Sequence, residues 1–244
     1  MICSPGLLRP GVRRLCTPDR RICSPGLLRP GVIVLGAALA GLALESTALA
    51  SPTLSQRVTQ IDAAFRANQQ ALAQYTWQQQ ELITVNGSVK KQALYQVKPV
   101  PGSAPSRTLV GRANSQLSSV DESYAGQIAA LTAGYAQPQP GRLAQLLNQG
   151  NVIIKPTDSP NVVKVEAQGY LKPGDDVTIV FDNDANHIIS MQVASYLTDQ
   201  LNMVHINAQY AQLPDGVNHV SAFTVDGLTG NLVIQEQNLN YQRK

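Results

Sequence analysis

From Asn151 to the end of the chain, short segments of alternating apolar and polar residues are cut apart by turn-forming clusters, and this pattern admits few folds. The clusters are Lys172-Pro173-Gly174-Asp175, Asp182-Asn183-Asp184-Ala185-Asn186, Pro214-Asp215-Gly216 and Asp226-Gly227-Leu228-Thr229-Gly230. Gly, Pro, Asn and Asp supply or tolerate the backbone angles that tight turns require. The segments between them predict strands over 152–155, 162–171, 176–181, 187–196, 203–212, 219–224 and 232–239. Turns this short leave no room for crossovers, so consecutive strands pair antiparallel. Val177, Ile179 and Phe181 share one face of their strand, as do Val204, Ile206, Ala208 and Tyr210. One face of the sheet is therefore apolar, and other elements must cover it.

The covering elements lie upstream. Leu54, Val58, Ile61, Phe65 and Leu72 fall on one face at helical spacing, which predicts a helix from Thr53 to about Gln74. Thr53 with Gln56 fits a capping box. Segments 75–85 and 89–97 predict a hairpin around Asn86-Gly87, the pair that a type I′ turn favours. Tyr75, Trp77, Ile83 and Val85 share a face of its first strand, and Ala93, Tyr95 and Val97 one of its second. Residues 107–111 predict a short strand. Ser119-Val120-Asp121-Glu122 reads as a second capping box, opening a helix to about Tyr135 that Pro138 and Pro140 break. A third helix over 142–148 carries Leu143, Leu146 and Leu147 and ends at Gly150. The expected class is α+β: a curved antiparallel β-sheet, an incomplete barrel, covered by a few helices.

The first fifty residues differ from the rest. They hold six arginines and two acids, then an apolar run from Val32 to Leu44, then Ala48-Leu49-Ala50 before Ser51-Pro52. A basic flank, a short apolar core and a small-x-small site are the parts of a secretory signal. The run is shorter than the roughly 20 residues that span a bilayer. The expectation is an export signal region over 1–50, cleaved near Ala50, and a single domain over 51–244 in the periplasm. The segment Ile2 to Val12 recurs at Ile22 to Val32, which points to a duplicated segment or a start codon read too early. Twin arginines stand at 13–14 and 20–21, but their surroundings fit the general secretory route better. Cys3, Cys16 and Cys23 all precede the cleavage site, so the mature domain has no disulfide and no lipid-bearing cysteine to make a stable membrane anchor.

From Ser51 onward the chain has 13 Lys and Arg against 14 Asp and Glu, a net charge of −1. That balance removes the electrostatic case for nucleic acid or an anionic membrane as partner.

The order helix, long hairpin, helices and meander, with the segments Val177 to Asp182, His187 to Val193 and Leu213 to Gly216, resembles the periplasmic lipoprotein-carrier superfamily of the LolA/LolB type. The resemblance implies a strongly curved, incomplete barrel closed by helices. It implies a hollow between sheet and helices that holds acyl chains or a lipidated protein. Relatives of the same fold bind an envelope protein and sense signals. The carriers tie a lid with an inward arginine on the first hairpin, and this hairpin offers none.

No catalytic constellation stands out. His187, His205 and His219 have no metal-ligand spacing, Asp182, Asp184 and Asn186 lack the glycine and distal glutamate of a calcium loop, and no G-x-S-x-G occurs. No cofactor is implied. Tyr75, Trp77 and Tyr95 are either ordinary core or the lining of a pocket. The candidate hydrophobic hollow comprises Tyr75, Trp77, Ile83, Val85, Tyr95, Val97, Phe181, Val204, Ile206 and Tyr210. Two functions follow: a soluble carrier or binding protein for a hydrophobic ligand, or an interaction or sensor domain with a filled core.

Overall fold

The computed structural model describes residues 53–100, 103–136, 139, 141–227 and 231–244. The export region with its cleavage site, the helix-breaking Pro138 and Pro140, and Leu228-Thr229-Gly230 of the last turn lie outside the described residues.

Helix α1 (Leu54–Leu72) begins at the expected box: the Gln56 N–H donates to Thr53 Oγ1 at 3.3 Å, and the Thr53 N–H donates to Gln56 Oε1 at 2.7 Å. Its buried face is Val58, Ile61 and Phe65. Strands β1 (Tyr75–Val85) and β2 (Ser88–Val100) form the hairpin, with Asn86 at φ 50° and Gly87 at φ 74° in its turn. Strand β3 (Ser103–Leu109) is longer than its sequence suggests, and β4 (Asn114–Ser115) adds a short pairing to β2.

Helix α2 (Ser119–Ala136) starts one residue earlier than the sequence pattern implies. Its box is Ser118 with Asp121: the Asp121 N–H donates to Ser118 Oγ at 3.2 Å, and the Ser118 hydroxyl donates to Asp121 Oδ2 at 2.6 Å. Ser119 and Glu122 have the right residue types, but the carboxylate three positions on from Ser118 reaches back first. Helix α3 (Arg142–Asn148) buries Leu143 and Leu146.

The meander follows as β5 (Val152–Pro156), β6 (Val162–Gln168), β7 (Asp176–Asp182), β8 (His187–Tyr196), β9 (Met203–Gln212), β10 (Asn218–Gly227) and β11 (Leu232–Arg243). Strand β6 stops three residues short of its expected end. Gly169 turns to φ 69°, and the Asp175 carboxylate gathers the backbone N–H groups of Tyr170, Leu171 and Lys172. Three donors held by one buried acid are lost to a strand ladder. At the other end of the meander Asp226 and Gly227 belong to β10 rather than to a turn.

The sheet is antiparallel and open, in the order β3-β2-β1-β11-β10-β9-β8-β7-β6-β5. The last strand thus sits inside the sheet, joining the first hairpin to the meander. One row of directly paired residues crosses it: Ala93, Glu81, Glu236, Phe223, Ala208, Met191, Ile179 and Val165. Helices α1 and α3 cover the meander half. There Phe181, Val165, Val204, Ile206, Leu143 and Ile61 are completely or almost completely buried in one cluster. Each such side chain contributes roughly 1.5–3 kcal/mol relative to an exposed one.

Candidate functional site

The other half of the sheet is not filled. A hollow of about 740 Å³ lies between α2 and the strands β1, β2, β3, β11, β10, β9 and β8. That volume falls in the roughly 300–1,000 Å³ range of small-molecule sites. The hollow exists because α2 turns small residues toward it: Ala125, Gly126, Ala129, Thr132 and Ala133. The helix touches the sheet closely at Gly227, where an added Cβ would stand 2.8 Å from Ile128 Cδ1 and 2.9 Å from Tyr124 Cε1. At Gly126 an added Cβ would meet nothing within 4 Å. That close approach holds this part of the helix against the sheet, and missing side chains beside it leave the space.

Of the ten residues singled out in the sequence, Trp77, Ile83, Tyr95, Val97 and Tyr210 line this hollow. Val85, Phe181, Val204 and Ile206 lie in the packed cluster instead. They have the right parity on their strands, but they are packed among other core side chains rather than facing the open space. Tyr75 lies to one side. Its hydroxyl donates to Asp215 and its ring meets Tyr241 edge-on at 6.5 Å. Trp77 stacks on Tyr241 with ring centres 5.3 Å apart, and its indole N–H donates to Asn238 Oδ1 at 3.1 Å.

The hollow has a charged end that period-2 reading of the apolar residues passes over. Gln79 and Glu81 share the inward face of β1 with Trp77 and Ile83, and both are buried. Lys91 Nζ lies 2.8 Å from Glu81 Oε1, and Arg107 Nη2 lies 2.8 Å from Glu81 Oε2. Arg107 also stands 3.3 Å from Glu236 Oε1 and sits 4.2 Å over the ring of Tyr95. Gln79 Nε2 donates to Glu236 Oε2 at 2.9 Å. The first hairpin has no inward arginine, but the next strand delivers one. The parity of Gln79 and Glu81 was legible in the sequence; Arg107, on β3, and Glu236, on β11, were not.

These neighbours move the two carboxyls apart. Burial works against the Glu81 charge, but the hydrogen bond from Lys91 and the charge of Arg107 outweigh it and hold its pKa below the usual glutamate value. Glu236 goes the other way: burial raises its pKa, and the longer Arg107 contact does not offset the lost water.

The histidines do not converge. His187 opens β8, His205 lies in β9 and His219 in β10, its ring 4.2 Å from that of Tyr241. No group of three His, Cys, Asp or Glu placed to hold a metal occurs among the described residues. Asp182 caps its own turn, accepting from the N–H groups of Asp184 and Ala185. A second buried polar centre lies near the far end of α2, where the Tyr135 hydroxyl donates to Asp175 Oδ2 at 2.6 Å and lies 2.8 Å from Ser195 Oγ. It fastens the helix to the loop after β6. No helix among the described residues is long and apolar enough to cross a membrane.

No protein-family model matches the chain, and no curated protein matches it in sequence. Among the solved structures similar to it are two with modest scores. One is a domain from Vibrio parahaemolyticus assigned to outer membrane lipoprotein sorting, at 8% identity and a TM-score of 0.45, over 78% of this chain and 93% of that one. The other is a DUF1329 family protein from Desulfovibrio piger, at 9% identity and a TM-score of 0.41, over 78% and 93%.

Proposed function

We propose that this protein is an exported periplasmic carrier or binding protein for a hydrophobic ligand, a lipid or the acyl chain of a lipidated protein. The observation that carries the proposal is the hollow itself. A sheet that packs fully over one half and leaves about 740 Å³ under small residues of α2 over the other has room for a guest. An interaction or sensor domain with a filled core has no use for that space. The surface facing the hollow is mainly aliphatic and aromatic, from Ile83, Val97, Ile128, Phe223, Val225 and Ile234 among others. Removing an acyl chain from water into such a lining is favourable by roughly 0.8 kcal/mol per methylene. The function is one of binding rather than catalysis, with residues 1–50 as the export region and 51–244 as the mature domain.

Native mass spectrometry of the protein isolated from its own periplasm tests this reading. The expected spectrum shows a polypeptide beginning at Ser51 with one amphiphile bound. A protein that arrives without lipid, and takes up none after delipidation, overturns it.

A further inference from the structure

We propose that the guest is an amphiphile with an anionic head group, a carboxylate or a phosphate, held by Arg107 and Lys91, with its chain lying over Phe223, Ala208 and Met191. This rests on the carrier reading above and names the class of ligand.

The first ground is the polarity of the hollow. Along the row that crosses the sheet, charge is confined to one end. Glu81 and Glu236 are paired neighbours on β1 and β11, Lys91 comes from β2 and Arg107 from β3. Beyond them the row continues as Phe223, Ala208 and Met191, all lining the hollow and none able to bond a polar group through its side chain. A guest matched to this surface is polar at one end only. Arg107 belongs to the edge strand β3 and is the most exposed member of the cluster, at 31%. The head group therefore sits toward the open edge and the chain runs inward.

The second ground is the balance of donors and acceptors. Every carboxylate oxygen of the cluster already faces a donor. Glu81 Oε1 faces Lys91 at 2.8 Å and the Tyr95 hydroxyl at 3.4 Å, and Oε2 faces Arg107 at 2.8 Å. Glu236 Oε1 faces Arg107 at 3.3 Å, and Oε2 accepts from Gln79 at 2.9 Å. The donors are not used up. A guanidinium has five N–H groups and an ammonium three, while these contacts engage two nitrogens of Arg107 and one direction of Lys91. Glu122, the remaining acid at the hollow, is exposed on the first turn of α2. The unspent charged donors favour a head group that brings acceptors. The planar fork of Arg107 suits the paired oxygens of a carboxylate or phosphate. A cationic head group would find every carboxylate oxygen already facing a donor, with the buried amide oxygen of Gln79 left as an uncharged acceptor.

Four probes with the same sixteen-carbon chain separate the possibilities: hexadecanoate, hexadecyl phosphate, hexadecanol and hexadecyltrimethylammonium. Each is titrated calorimetrically, below its micellar concentration, into delipidated protein. The two anions should bind about tenfold or more tighter than the alcohol and the cation, the worth of one charge-assisted hydrogen bond. The stronger of the two anions tells a free fatty acid from a phospholipid as the source. Arg107→Gln should cost the anions about tenfold and leave hexadecanol nearly unchanged. Arg107→Lys, which keeps the charge and loses the fork, should fall between, and it serves as the test if the glutamine variant does not fold. Equal binding of the alcohol and the acid, or an equal loss of both in the variants, overturns the head-group assignment alone. Failure of all four probes overturns the carrier reading and this inference with it.

Discussion

Trp77 and Tyr241 stack with their planes 18° apart, so the only tryptophan of the chain is clamped against the last strand on one side and faces the hollow on the other. Its emission should therefore shift saturably when an amphiphile is titrated into delipidated protein. Trp77→Ala should weaken binding markedly and cost about 2 kcal/mol in urea unfolding. That is below the roughly 3–5 kcal/mol of a tryptophan enclosed in packed core, because one side already borders empty space. A loss at the upper end, with emission unmoved by any amphiphile, would place Trp77 in ordinary core.

Two glycines near α2 should respond in opposite senses. Gly227→Ala drives a methyl into Tyr124 and Ile128, and should destabilise the protein by roughly 1–3 kcal/mol. Gly126→Ala adds a methyl in open space within a helix and should stabilise it by about 0.5–1 kcal/mol. Thermal melts of the two variants beside the parent decide it. Equal and opposite signs to these would mean that α2 does not rest on Gly227.

The paired acids Glu81 and Glu236 give the protein two opposed pH responses. The folded pKa of Glu81 is depressed, so its stabilisation is full above the ordinary value of 4.5 and is lost as pH falls through the folded value. Glu236 is raised, so its contribution is full below 4.5 and is lost as pH rises through the folded value. Glu81→Gln should cost about 2–3 kcal/mol at neutral pH by leaving Lys91 without its partner, and should converge on the parent in acid. Glu236→Gln should stabilise at neutral pH, with the gain gone below about pH 4.5. Unfolding free energies measured from pH 3 to 8 that run parallel for all three proteins would contradict both assignments.

The hairpin turn offers a local check. Gly87 sits at φ 74° with space around it, so backbone conformation alone decides what fits there. Gly87→Val should lower stability by about 1 kcal/mol or more, since a β-branched residue resists positive φ. An unchanged urea midpoint would show that the turn relaxes at no cost.

What the sequence disclosed follows a physical division. Asn86-Gly87, the Thr53-Gln56 box and the turns at 182–186 and 214–216 act through the nearest few residues, and each stands where its residue types put it. The early end of β6 needed Asp175, whose carboxylate acts across a loop. Alternation along β1 placed Trp77 and Ile83 inward, and the same alternation places Gln79 and Glu81 beside them; polarity argued otherwise only while their partners were unknown. Those partners, Arg107 and Glu236, are brought in by strand pairing, the second across most of the chain. Which inward residues are packed and which face space was set by the side chains of α2, where Ala and Gly read as good or poor helix formers and not as a volume.

The place of β11 has a consequence for the life of the protein before it folds. Gln79 and Glu236, bonded neighbours in the sheet, are 157 residues apart in sequence. The first hairpin emerges early and finds no strand on its inner side until nearly the whole chain is available. Pairings of such long range form slowly. A nascent chain of this design cannot complete its sheet until β11 has been made, which suits the export proposed for it, since an incompletely folded chain is the form that passes through a narrow translocation channel.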